Sequence, residues 1–187
     1  MFSRILIKLV DEAIFPAVLL LATRLISMFL VGQYLGANFE VKPTGVLFTT
    51  VNDYVKVNSY STLFMVIALA LGLSFIIIKS FIFHESHITP GFSAKLHALK
   101  VPSLIQNSFE IYSAGTIWLS YIYLLLVVSS VMALFGILYS WVLYIVLIIT
   151  ILVTTLFIID VEQEIKIKKN NEAEYDMDQT YLERDGE

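Results

Sequence analysis

Long apolar runs alternate with short polar stretches along this chain, and that alternation predicts its elements. Ile14–Gly36 is a stretch of 23 residues interrupted by Arg24, and Val57–Ile78 is an uncharged stretch of 22 closed by Lys79. Ile111–Ile159 then runs for 49 positions without Asp, Glu, Lys or Arg. A bilayer core about 30 Å thick needs about 20 helical residues to cross, at a rise of about 1.5 Å each. The first two runs match one crossing each. The third, about 73 Å long as a single helix, must fold back. Gly136, with Tyr139 and Ser140 behind it, is the expected reversal, because glycine accepts the backbone angles of a tight turn. The fold class that follows is all-α and integral to a membrane. Four spans form a bundle, at about 14–36, 57–79, 110–135 and 139–160. Residues 1–160 make one membrane domain, and 161–187 a charged tail.

The segments between the spans are readable too. Ala37–Lys56 is rich in strand formers around Lys42-Pro43-Thr44-Gly45, which suits either a short hairpin or an ordered coil. In Lys79–Ile105, Phe92, Leu96 and Leu99 recur at helical spacing beside Lys95 and Lys100. That pattern predicts a short amphipathic helix in the interface, set off by Pro90-Gly91 and Pro102. In the tail, Glu162/Lys166 and Glu164/Lys168 are i,i+4 pairs in the favourable order. They extend the last helix about two turns, with disorder expected beyond Asn170-Asn171.

Composition and charge narrow the possible chemistry. The chain has 187 residues, 58% hydrophobic and 15% charged, against about 25% charged in an ordinary soluble domain. The net charge of −4 is uneven: residues 160–187 hold ten acids and four bases, so residues 1–159 carry +2. No basic patch of a nucleic-acid binder is present. There is no cysteine, which excludes thiol catalysis, iron–sulfur clusters and thiolate metal sites. Lys and Arg set the orientation. With the N-terminus in the cytoplasm, Arg4, Lys8, Lys79, Lys95, Lys100, Lys166, Lys168, Lys169 and Arg184 lie inside, and only Lys42 and Lys56 outside. Both termini are then cytoplasmic, and the cell membrane is the expected location.

Arg24 is the sharpest polar feature. Ten residues past Ile14, it is expected about 15 Å into the membrane, with Leu69, Ser120 and Thr150 at its level. Such an arginine is expensive in lipid and should face protein or water. It binds an anionic ligand or an acid of another subunit, or else it bonds hydroxyls and backbone carbonyls of its own chain. The third span carries a polar stripe: Gln106, Glu110, Ser113, Thr116, Ser120, Tyr123 and Ser130 follow steps of three and four. Its readings are a hydrophilic path leading to Glu110 or ordinary interhelical hydrogen bonding. Small-residue pairs, Gly32/Gly36, Ala68/Gly72 and Ser129/Ala133, suggest close helix seams. The fourth span, nearly all branched aliphatic, is expected to be the most lipid-exposed.

His84, His87 and His97 are weak metal candidates, since two of them share a helical turn but the third lies beyond Pro90-Gly91. Asp11 and Glu12 before the first span, with Pro16 in its first turn, read as a helix start. No Ser-His-Asp order, phosphate-binding glycine loop or dinucleotide fingerprint occurs, so no cofactor is expected. The leading expectation is a non-enzymatic membrane component whose partners are the lipid bilayer and other membrane subunits or further copies of itself. The alternative is a small solute or ion conduit using Arg24, Thr116, Ser120 and Glu110. A third possibility, a lipid-modifying enzyme, requires Glu110 to converge with His84, His87 or His97.

Overall fold

The computed structural model describes residues 2–42, 45–84, 88–101, 105 and 107–184; for 2–9, 90, 168 and 170–184 only the backbone is described. The elements are α1 (Phe2–Tyr34), β1 (Phe39–Lys42), β2 (Gly45–Phe48), α2 (Val51–Phe83), α3 (Pro90–Ala98), α4 (Ser108–Leu134) and α5 (Ser140–Arg184). Four of the helices, α1, α2, α4 and α5, are long and apolar enough to cross a membrane. They form the expected all-α bundle.

Helix ends are set by local chemistry. Thr50 caps α2, its hydroxyl accepting from Asp53 N at 3.1 Å. Asn107 caps α4 in the same way, its Oδ1 accepting from Glu110 N at 2.9 Å. Glu110, at the third helical position, is therefore placed where an acid complements the helix dipole. Between α4 and α5 the chain reverses at Gly136 (φ 69°), with Ile137 N donating to Met132 O at 3.0 Å. This left-handed residue satisfies the last carbonyls of α4, as the sequence required.

Several boundaries differ from expectation. α1 begins at Phe2, because no Gly or Pro interrupts the chain before Pro16 and Arg4, Leu6, Lys8 and Leu9 are good helix formers ahead of Asp11 and Glu12. Pro16 is thus inside the helix, not in its first turn. α5 runs on to Arg184 as continuous helix where disorder was expected beyond Asn170-Asn171. Its Glu, Lys, Ala and Met residues favour a helix once the preceding turns supply the nucleus.

α2 and α4 pack together in the middle, with α1 against both on one side and α5 against both on the other. α2 is the most enclosed helix; α1, α4 and α5 are equally exposed, so the last span is not singled out. It shares that exposure because α1 occupies the matching outer position across the α2–α4 pair. The core consists of Val66, Leu69, Leu73 and Ile77 of α2, Trp118, Ile122 and Leu125 of α4, and Val142, Val146 and Val153 of α5, with Leu20 from α1 and Leu138 from the turn. Lipid tails are as apolar as these side chains, so close van der Waals fit holds them together. Gly72 shows how close that fit is: a Cβ there would stand 1.9 Å from the Trp118 ring. Gly32 and Gly36 do not form a helix seam. Gly32 receives the Phe39 ring, and Gly36 (φ 62°) ends α1.

Within the Ala37–Lys56 segment, Val51–Lys56 is already helix, so α2 starts six residues before the expected span. β1 and β2 form a hairpin with Phe39 opposite Phe48 and Lys42 opposite Gly45. A run of ring contacts ties it down: Phe29 to Phe39, Phe39 to Phe48, and Phe48 to Tyr54, at 6.0, 5.9 and 5.7 Å between centroids. At the opposite end α3 follows α2. Leu96 is buried and Phe92 stands 6.4 Å from Phe83.

Candidate functional site

Polar side chains gather at the two ends of the bundle. At the hairpin end, Arg24 projects from α1 onto the first turns of the apolar part of α2. Its Nη1 donates to Ser61 Oγ, to Thr62 Oγ1 at 3.2 Å and to Asn58 O at 3.3 Å, while Nη2 donates to Asn58 Oδ1. Asn58, 1% exposed, passes the connection on, its Nδ2 donating to Ile137 O at 2.5 Å in the α4–α5 turn. Next to it, Tyr139 N donates to Ser59 Oγ at 2.9 Å. One guanidinium and one amide thus link α1, α2 and the α4–α5 turn.

These partners differ from the expected Leu69, Ser120 and Thr150. The reason is the early start of α1, which makes Ile14 a poor origin for measuring depth. Counted from the hairpin, Arg24 is ten residues before Tyr34 and Ser61 ten residues after Val51, so the two share a level. Counting from that shared connection would have found the contact.

The α4 stripe divides among three surroundings. Ser113 Oγ donates to Glu12 Oε2 of α1 at 3.1 Å, and the Tyr123 hydroxyl meets Thr154 Oγ1 of α5 at 2.9 Å. Between them Thr116 and Ser120 are exposed, and Ser120 Oγ donates to Thr116 O at 2.8 Å. Ser130 likewise donates to its own helix, at Leu126 O. Glu110 lies in the first turn of α4, away from Arg24, and Gln106 lies outside the described residues. Hence α4 turns Thr116 and Ser120 outward in the gap between α1 and α5, not onto Arg24.

The histidines also separate. His84 is buried just beyond α2, His97 is exposed with Nδ1 3.0 Å from Ser93 O, and His87 lies outside the described residues. No three His, Asp or Glu side chains among the described residues are grouped to hold a metal ion.

His84 instead joins a cluster that sequence reasoning missed. Ser80 and His84 come from α2, Ser108 and Tyr112 from α4, and Asp160 and Glu164 from α5. Ser80 Oγ donates to Asp160 Oδ2 at 2.5 Å, and Ser108 Oγ donates to Glu164 Oε1. His84 Nε2 stands 3.7 Å from Glu164 Oε1, and the His84 and Tyr112 rings are 6.0 Å apart. Asp160 is 1% exposed and Glu164 6%, so both face the bundle, while the Lys168 side chain of the expected Glu164/Lys168 pair lies outside the described residues. A signal did exist. Ser80/His84 and Asp160/Glu164 are both i,i+4 polar pairs, each where an apolar run ends.

Between the two clusters the bundle is mostly apolar, with the Trp118 ring set against Gly72. Thr62 and Ser80 are separated by about 27 Å along α2, a stretch walled by Val66, Leu69, Leu73 and Ile77. Thr150, buried at mid-length in α5, donates to its own Val146 O at 2.7 Å.

Compared with family models, curated proteins and solved structures, the chain matches none.

Proposed function

We propose that this chain is a non-enzymatic, multi-pass membrane component that associates laterally with further copies of itself or with other membrane subunits. Both termini face the cytoplasm, and the cell membrane is its location. The orientation is supported by nine Lys and Arg residues on one side against two on the other.

The observation that carries this reading is how the polar side chains are used. Arg24, for which the sequence left open either an anion or acceptors of its own chain, is occupied by Asn58, Ser61 and Thr62 of that chain. The middle of the bundle is closed by branched aliphatic residues, which speaks against a path from Arg24 to the far end. Exposed Thr116 and Ser120 remain on the flank of α4, small hydroxyl residues of the kind that let membrane helices approach closely.

The test is energy transfer between labelled copies of the full chain in liposomes, diluted with lipid. Wild type is expected to show transfer that the double variant Thr116→Leu/Ser120→Leu loses while keeping its helical circular dichroism. Transfer equal to the random-encounter level in wild type, with no membrane protein cross-linked in native membranes, would overturn the proposal.

A further inference from the structure

We propose that the polar cluster at the α3 end binds one sodium ion at Asp160. This inference stands whether or not the chain associates laterally.

The decisive atom is Asp160 Oδ1. The side chain is 1% exposed; Oδ2 accepts from Ser80, but Oδ1 is buried and accepts no hydrogen bond. A carboxylate oxygen withdrawn from water without a donor is costly, and a coordinated cation removes that cost. Ser80 Oγ bonds the same carboxylate, and Ser108 Oγ, the buried Tyr112 hydroxyl and the Glu164 carboxylate belong to the same cluster, so three helices contribute the oxygen atoms that hard cations prefer. The absence of a three-ligand His/Asp/Glu group among the described residues points away from a transition metal.

Among the described residues, Asp160 and Glu164 of α5, His84 at the end of α2 and Tyr112 of α4 are the titratable members of the cluster. Lys79 of α2 lines a different groove with Phe15 and Trp118, and Glu12 of α1 is engaged by Ser113. Glu110 stands in the capped first turn of α4, and Lys95 and His97 of α3 are exposed. Asp160 is thus the carboxylate placed deepest against the apolar core, where Ile159 ends the uncharged run.

The experiment is thermal unfolding of the full chain in lipid nanodiscs, followed by Trp118 and Trp141 fluorescence, in wild type and Asp160→Asn. If sodium is the occupant, replacing choline by sodium at ten times its dissociation constant raises the midpoint by about 3–6 °C, and Asp160→Asn abolishes the rise. Ser80→Ala, which keeps the carboxylate, is expected to shift the midpoint of the same cation response by about tenfold. A sodium response that is absent in wild type, or the same in wild type, Asp160→Asn and Ser80→Ala, would overturn the site.

Discussion

The two ends of the bundle solve opposite electrostatic problems. At the hairpin end a single cation, Arg24, is divided among neutral acceptors, most of them on one turn of α2. At the α3 end two carboxylates, Asp160 and Glu164, are buried against hydroxyls and a histidine drawn from two other helices. The arginine end is local to α1 and α2 and reaches the rest through Asn58. The acidic end requires α2, α4 and α5 together. A cation with five donors can be satisfied by a neighbouring helix surface, whereas a carboxylate accepts only, so donors must be brought to it.

The largest effect is expected where both ends depend on the same contact. Gly72→Val forces a side chain into the Trp118 ring, so α2 and α4 separate and both clusters loosen. Unfolding in mixed micelles is expected to show a loss of about 3 kcal/mol or more. A loss below about 1 kcal/mol would mean that the α2–α4 contact is not what holds the ends in register.

The hairpin end is then separable. Asn58→Leu removes the acceptor of Arg24 Nη2, one of three side-chain acceptors, together with the bond to Ile137 O, and is expected to cost about 3 kcal/mol. Arg24→Leu removes the charge together with its need for partners and should cost about 1 kcal/mol. The order of these two losses sharpens the comparison, since a peripheral arginine would show neither.

At the acidic end, Ser80→Ala deprives Asp160 Oδ2 of its donor and is expected to cost about 1–2 kcal/mol, measured in the same unfolding assay. The smallest effect belongs to Glu162→Gln. Glu162 is exposed although only two residues from buried Glu164, and a change under about 0.5 kcal/mol is expected. A larger change would place Glu162, not Glu164, against the bundle.

What the sequence displayed and what it hid follow the same division. The four spans and the Gly136 reversal were legible because apolar run length and glycine geometry are local properties. Arg24 was conspicuous as a charge inside an apolar run. Its partner Asn58 was not, because an amide one residue inside the second run looks like a boundary residue until depth is counted from the hairpin. Asp160 and Glu164 were hidden differently. They follow the last uncharged position, where a helix leaving the membrane normally becomes solvated, and only packing of α5 onto Ser80 and Ser108 buries them. The polar stripe of α4 was visible, but which of its members face α1, α5 or the open flank depends on where those helices pack.

The most direct measurement is a double-mutant cycle between Arg24 and Asn58, using Arg24→Leu, Asn58→Leu and the pair, with unfolding free energies taken in lipid bicelles. A guanidinium held by that asparagine gives a coupling of about 1.5–3 kcal/mol, the double variant being far less damaged than the sum of the singles. Losses that add to within about 0.5 kcal/mol would contradict it, and would place the Arg24 side chain against something other than α2.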